Sequence, residues 1–164
     1  MLLFGLSLKA QTIDIETIKI NNSITYNSDI SSIKATFSID SIVSIPELMD
    51  MSLADSLIYI GQSYFEYYTV TQKCLINVIF FDSKIRSFSV GDNMLNKQTT
   101  LKDIQNMFPN NCKMTSETSI YGNISKFETC DINLTDKDGN LIDMKLIFFF
   151  SQGLLKRIDI WEPS

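Results

Sequence analysis

The chain of 164 residues contains no histidine, so every scheme that needs an imidazole is excluded. Ser-His-Asp and Cys-His catalysis, His-ligated zinc and histidine-based pH switching all go with it. Basic residues are in the minority, 14 Lys and Arg against 19 Asp and Glu, for a formal charge of −5, and no Lys/Arg run occurs. A nucleic-acid partner is therefore not expected, because that binding needs clustered cations to neutralise phosphates. No apolar stretch reaches the roughly 20 residues of a membrane-spanning helix. None of the three cysteines belongs to a CxxC pair. Without histidine a zinc site would need four sulfurs or carboxylates, so neither metal nor other cofactor is expected. Scattered carboxylates and lysines such as Lys34 and Lys102 form no acid/base pattern, and no enzymatic activity is expected.

What is present, 45% hydrophobic and 20% charged residues, is the composition of a folded globular protein. The amino-terminal run Met1 to Ala10 is apolar, ends in a small residue and gives way abruptly to polar Gln11. It resembles the tail of a secretory signal peptide, although it lacks a basic start and has Leu8 two places before Ala10. A buried first strand is the alternative. Export makes the protein periplasmic or secreted, and the simplest arithmetic for Cys74, Cys112 and Cys130 is then one disulfide and one thiol.

Two stretches align with each other. Ile24, Ile30, Ile33 and Phe37 fall on Leu95, Leu101, Ile104 and Phe108 at one offset of 71. Val78–Ile85 falls on Ile147–Leu154 at an offset of 69. The fold predicted is α+β: two tandem strand–helix–antiparallel-sheet units, with the helices on one face of the sheet. Residues 1–10 are the leader remnant, 11–87 the first unit and 88–164 the second. In the first, Ile13/Ile15 and Ile18/Ile20 suggest an opening strand with a bulge near Glu16. A helix from Ser28 buries Ile30, Ile33 and Phe37, Pro46 opens one or two further helical turns, and strands follow at about 57–61, 63–70, 74–82 and 85–90. In the second, Thr100 caps a helix that Asp103 reciprocates and Pro109 stops. Two alternating strands then flank Asp136–Asn140, and Ser151-Gln152-Gly153 turns into Leu154–Trp161. Asp136, Asp138 and Asn140 have the wrong glycine and glutamate spacing for a calcium loop and read as a hairpin turn.

Period two assigns the faces. Cys130, Ile132 and Leu134 point inward, as do Ile142, Met144, Leu146, Phe148 and Phe150. Cys112, just beyond Pro109, lies in the layer that Cys130 faces, so this pair is the predicted disulfide, worth about 3 kcal/mol on the chain-entropy argument. Aromatic residues occupy both faces of Ser63–Tyr68, where an open sheet face should be polar. They either pack between the two units or form a patch for a partner.

The tandem arrangement, the export, the disulfide in the second unit and the spacing from Gly91 to Phe108-Pro109 resemble the β-lactamase inhibitor protein family. Small single-unit lipoproteins of outer-membrane assembly share the spacing, but this chain lacks their lipidation cysteine. The resemblance spans residues 18–160 and implies a continuous sheet whose concave, aromatic face grips another protein. Inhibition of a β-lactamase does not follow from it. The function expected is that of a protein-binding or inhibitor-like module. A structural or assembly protein of the bacterial cell envelope and a small-ligand-binding protein are the alternatives. Alternation places the partner-binding centre at Tyr64, Tyr68 and Trp161 with Glu66, on the side of the sheet away from the helices, while Phe65 and Tyr67 point to the core.

Overall fold

The computed structural model describes residues 11–45, 54–120 and 126–163. The predicted leader remnant and the helical turns after Pro46 lie outside them. The first strand, β1 (Ile13–Asp14), is followed by a 3₁₀ turn (Ile15–Thr17) whose start is capped by the Asp14 carboxylate accepting from the Glu16 N–H. This turn, not a bulge, interrupts the alternation. It sends β1 and β2 (Lys19–Ile20) into different sheets.

After β2 come β3 (Ile24–Thr25), β4 (Asn27–Asp29), helix α1 (Ile30–Thr36) and β5 (Ser41–Ser44). Three longer strands follow: β6 (Ser56–Ile60), β7 (Ser63–Tyr68) and β8 (Lys73–Phe80). The hairpin of β9 (Phe88–Val90) and β10 (Asn93–Leu95) leads to helix α2 (Leu101–Met107) and β11 (Ser116–Ser119). The chain ends with β12 (Lys126–Thr135), β13 (Leu141–Ser151) and β14 (Leu154–Trp161). After Ser87 the order is hairpin, short helix, exposed short strand and three long strands. Before it β1 and the 3₁₀ turn precede the hairpin, and β4 stands between the hairpin and α1.

The α+β reading is overturned. The molecule is mostly β, and each α-helix has only seven residues. The large sheet runs β1-β12-β13-β14-β8-β7-β6-β5, with β11 also on β12 and β4 also on β8. A second sheet, β10-β9-β2-β3, lies where a helical layer was expected. The physical reason is local. Ile18, Ile20 and Ile24, like Phe88, Val90 and Leu95, are buried from two short hairpins. Their turns use left-handed backbone at Asn21, Asn22 and Gly91. Both helices stop early: the chain becomes extended at Phe37, and Pro109 forbids continuation of α2. The helix predicted from Ser28 starts at Ile30, and Ser28 belongs to β4.

One core joins these parts. Ile33 and Phe37, Ile104 and Phe108, and the inward residues of the small sheet pack with Phe65, Ile76, Cys130, Ile132, Phe148 and Ile158 of the large sheet. Phe108 stacks on Phe148 with centroids 6.2 Å apart. Fully burying a side chain of this kind stabilises by about 1.5–3 kcal/mol. The α2 start is secured by a capping box in which Thr100 and Asp103 exchange hydrogen bonds. Beyond Phe108, the N–H of Cys112 donates to the Phe108 carbonyl (2.9 Å), turning the loop back toward the sheet. Cys112 and Cys130 are thereby joined in a disulfide with Cα atoms 5.2 Å apart. Asp136 to Asn140 is a hairpin turn, with the Asp136 carboxylate accepting from the N–H groups of Asp138 and Asn140.

The halves meet where β14 pairs antiparallel with β8, in the middle of the large sheet. That pairing covers only Val78 to Phe80; at the other end β8 pairs with β4. Between the two partners the edge of β8 parts from β14, leaving a seam.

Candidate functional site

The face of the large sheet turned away from the helices is built by alternation. On β7, Phe65 and Tyr67 are buried in the core, so Tyr64, Glu66 and Tyr68 emerge on the open face, half-buried. On β14, Ile158 and Ile160 are buried, which turns Arg157, Asp159 and Trp161 outward; Trp161 is 46% exposed. Cross-strand pairing sets Tyr64 beside Tyr59 on one neighbour and Val78 on the other. The Tyr59 and Tyr64 rings are 5.7 Å apart.

A pocket of about 250 Å³ opens at the seam. The buried Ile76 and Ile160 floor it, and Tyr64, Glu66, Trp161 and Glu162 stand around it together with Tyr26, from the segment just before β4. Three of the four predicted site residues thus share one pocket. Tyr68 stands next to it, and its hydroxyl donates to Glu66 Oε2 at 3.2 Å. Asn77 Nδ2 donates to Glu66 Oε1 at 2.8 Å, so the carboxylate is oriented from both sides. Burial raises the Tyr64 hydroxyl above its ordinary range, with the Asp159 charge adding to the effect. Tyr26 is raised further, again by burial first and then by the carboxylates of Glu162 and Glu66.

The centre of this face holds a group that no motif announced. Arg157 Nε and Nη2 donate to the two oxygens of Asp159 at 2.5 and 2.7 Å, and the side chains are only 16% and 15% exposed. The guanidinium is sandwiched between the ring of Phe80 on β8 (5.5 Å) and that of Phe149 on β13 (5.3 Å). Burial raises the Asp159 carboxyl, and the hydrogen bonds from Arg157 oppose the shift. Their odd spacing with Trp161 was the available signal, since 157, 159 and 161 alternate with the core positions. The sandwich itself needs the register of three strands, and Tyr26 lies outside any periodic segment.

The remaining thiol, Cys74, is buried on the core face of β8, and burial pushes it up to about 11. It is protonated at neutral pH and sealed from reagents. Among the described residues, no cluster of Cys, Asp and Glu is placed to hold a metal, and no helix is long and apolar enough to cross a membrane. No protein-family model matches the chain, and no curated protein or solved structure is significantly similar to it. The likeness to the β-lactamase inhibitor proteins rests on residue pattern alone.

Proposed function

We propose that this chain is an exported protein-binding module that holds its partner on the open face of the large sheet, around Tyr64, Tyr68 and Trp161. The observation that carries the reading is the exposure of aromatic rings about a pocket in the middle of that face, with Trp161 at 46%. Tyr and Trp give large contact area with few rotatable bonds, and such rings dominate binding hot spots. The buried Arg157–Asp159 pair holds the surrounding strands' side chains in fixed positions, so little ordering remains for association. The Cys112–Cys130 disulfide is compatible with an oxidising compartment, in keeping with a periplasmic or secreted location. An inhibitor-like role of the kind found in β-lactamase inhibitor proteins fits the same face, without specifying the target.

Tagged protein exposed to periplasmic or culture-supernatant fractions of its source organism tests the reading. The doubly substituted Tyr64→Ala/Trp161→Ala protein should keep its melting temperature within a few degrees and lose the captured partner. Capture that survives this substitution overturns the assignment of the face. A second reading, an assembly protein of the cell envelope, draws on β5. This edge strand is exposed along its whole length, carries no charge, and leaves Ile42 and Val43 half in solvent. Concentration-dependent self-association, abolished by Val43→Lys, would support that reading instead.

A further inference from the structure

The large sheet ends differently at its two sides. At one end β12 is covered by β11 and by the two-residue β1, and β11 carries Glu117, whose carboxylate accepts from the Lys126 ammonium at 2.9 Å. Short strands and charges of this kind keep a sheet edge from pairing with another chain. At the other end stands β5, and among the described residues nothing pairs with its outer side. Its sequence, Ser-Ile-Val-Ser, has no charge and no proline, and its register on β6 has no bulge. All four residues are exposed, Ile42 and Val43 to 49% each. The nearest preceding charge, Asp40, is already paired with Lys84.

Backbone geometry fixes what this edge can accept. An antiparallel strand turns its N–H and C=O groups toward a given neighbour at every second residue. On β6, Ser56 stands opposite Ser44, and the Ile45 N–H donates to the Asp55 carbonyl at 2.9 Å. Ser41 and Val43 therefore bond β6, and the N–H and C=O groups of Ile42 and Ser44 point away from the sheet. A second β5 running antiparallel meets all of these groups when Ile42 of each copy lies opposite Ser44 of the other. That register has a two-fold axis at Val43, which faces its own counterpart. It opposes no charge to another and sets a β-branched pair at its centre.

We infer that β5 pairs with β5 of a second copy of this chain, antiparallel about a two-fold axis at Val43, joining two large sheets edge to edge. This rests on the second reading above, in which β5 is an association edge, and it deepens that reading by fixing the partner, the symmetry and the register. Val43 lies opposite Leu57, on the face of β6 that also carries Tyr59 and is turned away from the buried Ile58. The axis stands perpendicular to the sheet, so the two open faces lie on one side of the joined sheet and neither is covered.

Four residues make a small interface, so association is weak and its geometry is read by disulfide trapping. Cys74 is buried and Cys112 is bonded to Cys130, so a cysteine added on β5 supplies the reactive thiol. Facing residues of a non-hydrogen-bonded pair have Cα atoms about 4.5 Å apart, within disulfide reach. The two Ile42 residues are more than about 8 Å apart in the same register, beyond that reach. On mild oxidation Val43→Cys should form covalent dimers at least about tenfold faster than Ile42→Cys, although the two native side chains are equally exposed. Adding Ser44→Pro to Val43→Cys removes an outward N–H that β6 does not use, and should lower the rate to that of Ile42→Cys. Equal rates for the two cysteine variants, or trapping of Val43→Cys that Ser44→Pro leaves unchanged, overturns the inference. Sedimentation and envelope fractionation of the unmodified protein separate its failure from that of the assembly reading. Concentration-dependent association without selective trapping at Val43 leaves the assembly reading and removes the two-fold edge. Selective trapping in a protein that never fractionates with envelope components leaves the dimer and removes the assembly reading.

Discussion

Along β13, Phe148 and Phe150 are sealed in the core, while Phe149 between them turns to the open face, where its ring meets Phe127 edge-on at 6.1 Å and carries the Arg157 guanidinium. The same strands therefore build two surfaces of different physics. The core face is stabilised by area removed from water, a non-directional effect that any well-fitting apolar residue supplies. The open face depends on pairs: Arg157 with Asp159, Tyr68 with Glu66, Tyr59 with Tyr64. Such directional contacts hold a surface in one shape without requiring that it be covered. That is what a preorganised binding face needs, and the contrast between the faces can be measured.

The largest effects belong on the core face. Phe148→Ala should destabilise by about 3–5 kcal/mol in urea titrations, because Phe108 stacks on that ring and cannot fill the cavity alone. Removing the Cys112–Cys130 bridge by double substitution with Ala should reduce stability by about 3 kcal/mol, for a sequence separation of 18 residues. A loss below about 1 kcal/mol in either case would mean that the core is softer than its burial implies.

Breaking the central ion pair should fall between the two faces in size. Arg157→Met leaves Asp159 mostly buried without its counter-charge and should cost about 2 kcal/mol at neutral pH, less than a fully buried pair because some solvent reaches it. The sign of its pH dependence follows from the raised Asp159 carboxyl. A folded-state value above the unfolded one means that the folded protein holds the proton more tightly. Stability from this group is then present at low pH and lost as pH rises from the ordinary carboxylate range through the folded-state value. Without Arg157 the shift grows, so the deficit of the variant should shrink as pH falls. A deficit that is constant between pH 7 and pH 4 would show that Asp159 is not the group left exposed to the penalty.

Much of this contrast is legible in the residue pattern. Alternation at Ser63–Tyr68 and at Leu154–Trp161 separates Phe65, Tyr67, Ile158 and Ile160 from Tyr64, Glu66 and Trp161, and the structure keeps those faces. Cys112 and Cys130 pair because Pro109 and an inward strand position bring them to one layer. The small sheet escapes such reading, since strands of two or three residues, as in β2, β3, β9 and β10, are too short to display a period. Short helices escape for a related reason: Ile30, Ile33 and Phe37 fit helical spacing, but nothing in that spacing says that Phe37 is already extended. The pocket depends on how β8 exchanges β14 for β4, a fact of pairing between residues 44 or more apart in sequence, which no local pattern encodes.

The smallest structural effect and the most direct readout meet at Trp161, the chain's one tryptophan. Its half-exposed ring packs along the pocket rim and not in the core, so Trp161→Ala should destabilise by no more than about 1 kcal/mol. Because no other tryptophan contributes, the intrinsic fluorescence of the whole protein reports on this one position of the open face. In the free protein acrylamide should quench most of that emission, and unfolding should change its wavelength only modestly, since the ring already meets solvent. When a partner covers the open face, quenching should fall and the emission should move to shorter wavelength. Emission that is resistant to acrylamide in the free protein would place the ring in a covered environment and erase the difference between the two faces at the point where it is drawn most sharply.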